Sequence, residues 1–169
     1  MSMYFHLRAV PPPALRNSAA WMQRLFEDDG DAVRERVGRH REKVLDRYYL
    51  DHELLYAGTP PHHAAPGPHA QVVLGGRPVF HPDPHKPPFL LLSAARTARV
   101  ASYLSAADFD VLWQRARVPL TVGAEATAPR IRAMLAEVHS DLTAFYTTAA
   151  GHGDAVVKWL VLQGLADRR

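Results

Sequence analysis

The chain has 169 residues, 47% of them hydrophobic, no cysteine, and a formal net charge of +3 from 20 basic and 17 acidic side chains. That length and apolar content suit one domain with a single buried core, and the lack of cysteine excludes structural disulfides, thiolate zinc sites and cysteine nucleophiles. No segment approaches the ~20 apolar residues of a membrane span and no secretory leader is recognisable, so a soluble, cytoplasmic protein without a membrane partner is expected.

Met3 to Val10 carries Tyr4, Phe5 and Val10 in imperfect alternation and reads as a first strand that Pro11 stops. A helix is expected next, with Pro13 in its first turn and Leu15, Ala19, Trp21/Met22 and Leu25/Phe26 as its stripe, ending at Asp28-Asp29-Gly30. Asp31 then caps a second helical stretch to about Tyr49, with Gly38 as its weak point. Its segment Arg34 to Arg47 is the densest basic region, but Glu35, Glu42 and Asp46 lie at helix-neighbour distances from the arginines. That pattern suits an internally paired, solvated face better than a phosphate-binding one, so nucleic acid is not the expected partner.

Leu50 to Ala57 continues as another helical turn or two before Gly58. Between Pro60 and Pro88 lie nine of the fourteen prolines and five of the ten histidines, a composition that resists regular structure. Within this excursion Gln71 to Leu74 is an apolar run, and Gly75-Gly76-Arg77-Pro78-Val79-Phe80 reads as a turn into a short extended piece. Phe89 to Leu92 is a short buried element, and Thr97 to Leu104 reads as a strand. Ser105 is then a helix cap, with Phe109, Leu112/Trp113 and Ala116 on the apolar side and Pro119 closing the helix.

The longest periodic stretch follows. Ile131, Met134/Leu135, Val138, Leu142, Phe145/Tyr146 and Ala149 recur at steps of three and four, Thr127 stands at the cap, and Gly151 and Gly153 mark the end. Ala155 to Leu162 is a second apolar run that periodicity leaves open between helix and strand.

Few residues form a chemical constellation. His62, His63, His69, His81, Asp83 and His85 have the chemistry of metal ligands, but Pro82 and Pro84 break any helical spacing, so a metal-dependent hydrolase is only the alternative reading and no cofactor is expected. Ser93, Ser105, His139 and Asp141 make no nucleophile elbow, and His139 falls on the outer side of its helix stripe, so no catalytic residue is assigned.

Several local patterns resemble the YfbM-like family of small bacterial proteins, a domain-of-unknown-function family. Met1-Ser2-Met3-Tyr4 with Val10-Pro11 is similar to its opening strand and helix entry, and Leu50-Asp51-His52 with Leu54-Leu55 and Gly58 to its Leu-Asp-Lys-x-Trp segment. Val73-Leu74-Gly75-Gly76-Arg77-Pro78 resembles its Gly-Gly-x-Pro turn, and Tyr103-Leu104-Ser105 with Asp108 its strand-to-helix junction. Phe145-Tyr146, Ala149-Ala150 and Gly153-Asp154-Ala155-Val156-Val157 are similar to its closing Phe-Tyr-x-x-Ala-x-x-Gly-Asn-Ala-Val pattern. The tryptophan of the Leu-Asp-x-x-Trp segment is missing here. The resemblance implies an α+β fold in which Ala155 to Leu162 is a strand, and it implies no established activity.

The expectation is therefore one α+β domain: a small mixed sheet from about residues 3–10, 70–74, 97–103 and 155–162, packed with about four to five helices, with an irregular excursion at about 58–88. A non-catalytic binding or regulatory module is favoured over the hydrolase and over a weak nucleic-acid binder. Its pocket is placed by chain order where Tyr4, His6, Asp51, His52, Tyr56, Arg77 and Tyr103 would meet. The partner is a small molecule or a protein, a second copy of this chain included.

Overall fold

The first and last strands are one ladder. In the computed structural model, which describes residues 2–28, 42–59 and 66–163, β1 (Ser2–Val10) runs antiparallel to β5 (Ala155–Gln163) from Ser2 opposite Gln163 to Val10 opposite Ala155. Strand β2 (Glu42–Leu45) flanks β1, while β4 (Phe89–Leu92) and then β3 (Arg77–Val79) flank β5, giving the order β2-β1-β5-β4-β3. Both edges are short, and β3 carries Pro78, features that resist pairing with another chain.

The sheet is buried on both faces, which explains why β1 and β5 alternate so poorly between apolar and polar residues. Phe5, Leu7 and Ala9 of β1, with Leu45, Leu92 and Val156, face the main core. That core is completed by α2 (Tyr49–Ala57), α3 (Ala94–Ala106), α4 (Phe109–Thr121) and α5 (Ala128–Gly151). On the other face Val10, Phe89, Leu91, Val157 and Trp159 pack against Met22 and Leu25, delivered by the short α1 (Ala19–Gln23) and the π turn Arg24–Asp28 that continues it.

The helix stripe of α5 is as read, with Leu135, Leu142, Tyr146 and Ala149 buried, and Gly153 in the left-handed region (φ 68°) turns the chain into β5. Thr127 stands before the helix, but its hydroxyl donates to the Ala124 carbonyl at 2.8 Å and makes no cap. Among the described residues no helix is long and apolar enough to cross a membrane.

Several expectations are corrected. Residues 97–103 lie in α3, because Thr97, Val100, Ala101 and Leu104 bury one face at helical steps and Ser93 caps the helix by accepting the Arg96 N–H. Ser105 thus sits inside that helix, and Asp108 caps α4, which runs through Pro119 to Thr121. Residues 70–74 are a 3-10 turn (Pro68–Gln71) and a buried irregular segment, whose carbonyls bond side chains in place of a ladder. With neither segment in the sheet, every strand pairing among the described residues is antiparallel where a mixed sheet was expected.

The helix expected from Pro13 shrinks to α1 and its π turn, since Ser18 accepts the Trp21 N–H and starts the helix later. Of the helix expected from Asp31 to Tyr49, residues 31–41 lie outside the described residues. Glu42–Leu45 is a strand, held by cross-strand partners of β1.

The irregular segment after the 3-10 turn is pinned from the sheet. Lys158, 0% exposed and on the same face of β5 as Val156, donates to the carbonyls of Gln71 (2.5 Å), Val73 (2.8 Å) and Gly75 (2.9 Å). Glu53 of α2 accepts the Leu74 N–H at 2.9 Å, and the Tyr146 hydroxyl donates to the Val72 carbonyl at 2.6 Å. A buried segment outside helix and sheet must find partners for its backbone groups, and these three side chains supply them. Burial draws the Lys158 pKa down to about 7 while the Glu53 charge acts in the opposite direction.

Candidate functional site

The seven residues expected to form one pocket are divided by the sheet. Tyr4, His6 and Arg77 belong to β1 and β3: His6 Nδ1 lies 2.7 Å from Glu42 Oε1, and the exposed Arg77 donates to Asn17 Oδ1 at 2.8 Å. Asp51, His52 and Tyr56 lie on α2 and Tyr103 on α3, on the helix side.

Within that second group, His52 is 2% exposed and burial lowers its pKa to about 4, while burial and the Asp46 charge raise that of Asp51. Tyr56 and Tyr103 both meet Arg115, which donates to the Tyr56 carbonyl at 3.3 Å and bonds the Tyr103 side chain. His139, expected on an outer face, is half-buried between Tyr56 and Phe109, its Nδ1 3.0 Å from the Tyr56 hydroxyl. Burial raises the Tyr56 pKa and lowers that of His139, so the phenol donates and the neutral imidazole accepts. Tyr56, His139, Tyr103 and Arg115 thus form an internal hydrogen-bonded network, while the buried His52 Nδ1 has no hydrogen-bond partner among the described residues.

The histidines named as metal ligands do not converge. His69 lies against Tyr103 and His81 against Trp159, on opposite sides of the sheet, and His62 and His63 lie outside the described residues. Among the described residues no group of three or more metal-ligating side chains is placed to hold an ion. Asp141 pairs with Lys43 at 2.7 Å, and Ser93 is a helix cap.

The feature with the character of a binding site lies on the face away from the large helices. A cleft of about 290 Å³ is lined by Phe26, Glu27, Lys86, Pro87, Trp159 and Leu162. Its size is at the lower end of small-ligand pockets, which run from roughly 300 to 1,000 Å³. Three elements build it. The π turn presents Phe26 and Glu27, a local irregularity often found where a helix serves a site. The 80–88 segment contributes Lys86 and Pro87. Strand β5 contributes Trp159, whose indole N–H donates to the Pro87 carbonyl at 3.0 Å and ties that segment to the sheet.

The walls are aromatic and ordered by contact. Trp159 stacks on His81 (5.5 Å between centroids, 10° between planes) and lies 5.8 Å from Phe26 and 5.3 Å from Phe89. The Asp83 backbone N–H donates to His81 Nδ1 at 2.9 Å, which fixes the tautomer and turns Nε2–H toward Glu27 Oε1, 3.5 Å away. Gln23 donates to Glu27 Oε2 at 3.0 Å, and Lys86 bonds Oε1. Burial raises the Glu27 pKa, but the Lys86 and Gln23 hydrogen bonds and the Lys86 charge outweigh it, so the net shift is downward and the carboxylate stays ionised.

A larger hollow of about 490 Å³ lies between α4 and α5, lined by Trp113, Val118 and Arg132 among others, with Val118 exposed. No buried charged group points into it. Glu27 and Lys86 were not singled out from sequence. The usable signal was Lys158, a lone charge inside an apolar run, which marks that run as a two-sided strand and sets Trp159 on the opposite face.

The profile of the family described as Domain of unknown function (DUF1877) matches residues 1–159. Among solved structures, the crystal structure of a protein of unknown function, YfbM from Escherichia coli, is similar with a TM-score of 0.65 at 13% identity, covering 95% of this chain and 100% of that one. At that identity the likeness speaks for the fold. No curated protein matches the sequence. The chain thus belongs to the DUF1877 family, and its α+β fold is the YfbM fold.

Proposed function

We propose that the protein is a non-catalytic binding module whose small-molecule ligand seats in the cleft between the π turn, the 80–88 segment and β5. The observation that carries this reading is an ionised carboxylate, Glu27, only 18% exposed, at the mouth of an aromatic-walled cleft of about 290 Å³. Apolar walls with a few convergent polar groups are the usual composition of a ligand site. The non-catalytic reading is supported by the pairing of the polar groups around it. Glu27 is engaged by Gln23 and Lys86, His81 Nδ1 by the Asp83 N–H, and His6 by Glu42, so none stands as a base beside a nucleophile.

The test is a fragment titration followed through the indole N–H resonance of Trp159. Fragments that bind should shift that resonance and lose affinity in Glu27→Gln. If instead they shift Trp113, in the α4–α5 hollow, and leave Trp159 unmoved, the cleft is the wrong site.

A further inference from the structure

The cleft already holds a cation. Lys86 Nζ bonds Glu27 Oε1 and stands 5.9 Å from the centroid of the Trp159 ring, so a carboxylate and an indole face share one ammonium. An anion beside an aromatic face is the arrangement by which proteins recognise ammonium groups. The two sides of this contact differ in how firmly they are held. Trp159 and Phe26 belong to the packed cluster on this face of the sheet, His81 is stacked on Trp159, and Glu27 follows Phe26 in the π turn. Lys86 belongs to the exposed turn 82–86, its side chain is 39% exposed, and its backbone N–H returns to Asp83 O at 3.2 Å.

We infer that the cleft is a site for a primary ammonium on an aliphatic stem, and that Lys86 occupies it as a tethered stand-in until such a ligand displaces it. This rests on the cleft being the ligand site. Two details set the ligand class. Glu27 Oε2 is taken by Gln23 Nε2 at 3.0 Å, which leaves Oε1 alone to face the cation. A single oxygen suits the point charge of an ammonium and not the two-pronged fork of a guanidinium. His81 Nε2, buried and without a hydrogen-bond partner among the described residues, stands 3.5 Å from the same oxygen and leaves an unpaired polar atom at this end of the site. Beyond the charge, Leu162 and Phe26 line the path that the methylene stem would follow.

A tethered lysine competes at an effective concentration on the order of millimolar, so removing it should raise apparent affinity. The experiment uses the full chain with Lys86→Ala, and with Lys86→Met as a second variant that keeps the stem. The probe is n-butylammonium chloride, titrated at constant ionic strength while the Trp159 indole resonance is followed. The expected result is binding at least about tenfold tighter in both variants than in the unaltered protein, and lost when Glu27→Gln is added. Butylguanidinium should bind more weakly than butylammonium.

A capped lysine amide identifies the source. Binding equal to butylammonium points to a lysine side chain of a peptide or protein, and binding confined to the small amine points to a free amine. If n-butanol or butyrate binds the Lys86→Ala cleft as well as the amine does, the ammonium inference falls while the cleft remains a ligand site. If no probe moves the Trp159 resonance in any variant, both readings fall. If butylammonium binds with no dependence on Lys86 or Glu27, the inference is overturned.

Discussion

Replacing Lys158 by methionine removes one charge and little volume, and its consequence follows from what the ammonium holds. In the native protein Lys158 Nζ donates to the carbonyls of Gln71, Val73 and Gly75 at 2.5–2.9 Å, with Val72 O at 3.4 Å. Methionine supplies no donor. The carbonyl at residue 73 is buried and stays unpaired, at a cost of about 1–3 kcal/mol, whereas those at 71 and 75 are partly open and regain water.

Burial raises the Glu53 pKa, with the Leu74 N–H bond and then the Lys158 charge acting against it, so the variant also removes a charge that favours the carboxylate. Lys158 Nζ bonds carbonyls rather than Glu53, so this longer-range attraction adds less than a contact pair would, and the relief of desolvating the ammonium offsets part of the sum. A net loss of about 2–3 kcal/mol is therefore expected, a large share of the roughly 5–15 kcal/mol that a domain of this size possesses.

The assay is urea denaturation of Lys158→Met against the unaltered chain, with hydrogen exchange of the Leu74 amide as the local reading. That amide is bonded to Glu53 at 2.9 Å and should exchange faster in the variant. Adding Glu53→Gln keeps an acceptor for Leu74 and removes the stranded charge, so the double variant should recover about 1–2 kcal/mol. A Lys158→Met protein within about 1 kcal/mol of the original, or a double variant that sums the two single losses, would refute the argument that the ammonium holds this segment.

The same segment makes two further predictions. A Cβ at Gly75 would stand 2.1 Å from the Ala70 carbonyl oxygen and 2.6 Å from Gln71 Cα, so Gly75→Ala forces backbone to move and should cost about 3 kcal/mol by denaturation. Tyr146→Phe removes the 2.6 Å bond to the Val72 carbonyl and should cost about 1–2 kcal/mol. On the opposite face, burial raises the Glu42 pKa, but the His6 hydrogen bond and the Arg8 charge outweigh it and bring it to about 2 from an ordinary 4.5. Between those values the unfolded chain binds more protons than the folded one, so this stabilisation is complete above the ordinary value and is lost as pH falls toward 2. Allowing for partial solvent screening, about 1–2 kcal/mol should disappear over that window and be missing from Glu42→Gln, as read from denaturation midpoints at pH 6 and pH 3.

Periodicity made the long helix legible, because it buries residues at a spacing that only one backbone geometry supplies, whereas the last strand, apolar on both faces, was legible only through the family resemblance. Periodicity failed where two geometries share the same residues. Thr97, Val100, Ala101 and Leu104 fit a helix face, yet Thr97 to Leu104 is also rich enough in branched and aromatic side chains to read as a strand. The Ser93 cap that decides the matter stands four residues earlier. Val72 and Val73 are fully buried, but the backbone around them is satisfied by Lys158, Glu53 and Tyr146, which come from three distant parts of the chain. No local pattern encodes such an arrangement. The pocket guess failed for a related reason: neighbourhood in sequence put Tyr4, His6 and Arg77 with Asp51, Tyr56 and Tyr103, but a sheet buried on both faces separates residues by parity more than by order.

That parity is also what ties the architecture to the candidate site. Lys158 and Trp159 are adjacent on the central strand and point to opposite faces, one fastening the segment beside the helices, the other walling the cleft and holding Pro87 through its indole N–H. The two roles share a backbone but no contact, so they are separable by substitution. A change at Lys158 that loosens residues 71–75 leaves the aromatic contacts of Trp159 with His81, Phe26 and Phe89 in place, provided the β1–β5 ladder is intact. Since that ladder runs through nine residue pairs on both sides of the exchange, local loss at the segment is expected before loss of the cleft. Stability variants at Lys158 therefore serve as controls for binding variants at Glu27 and Lys86, because they perturb the fold from the face opposite the proposed cleft.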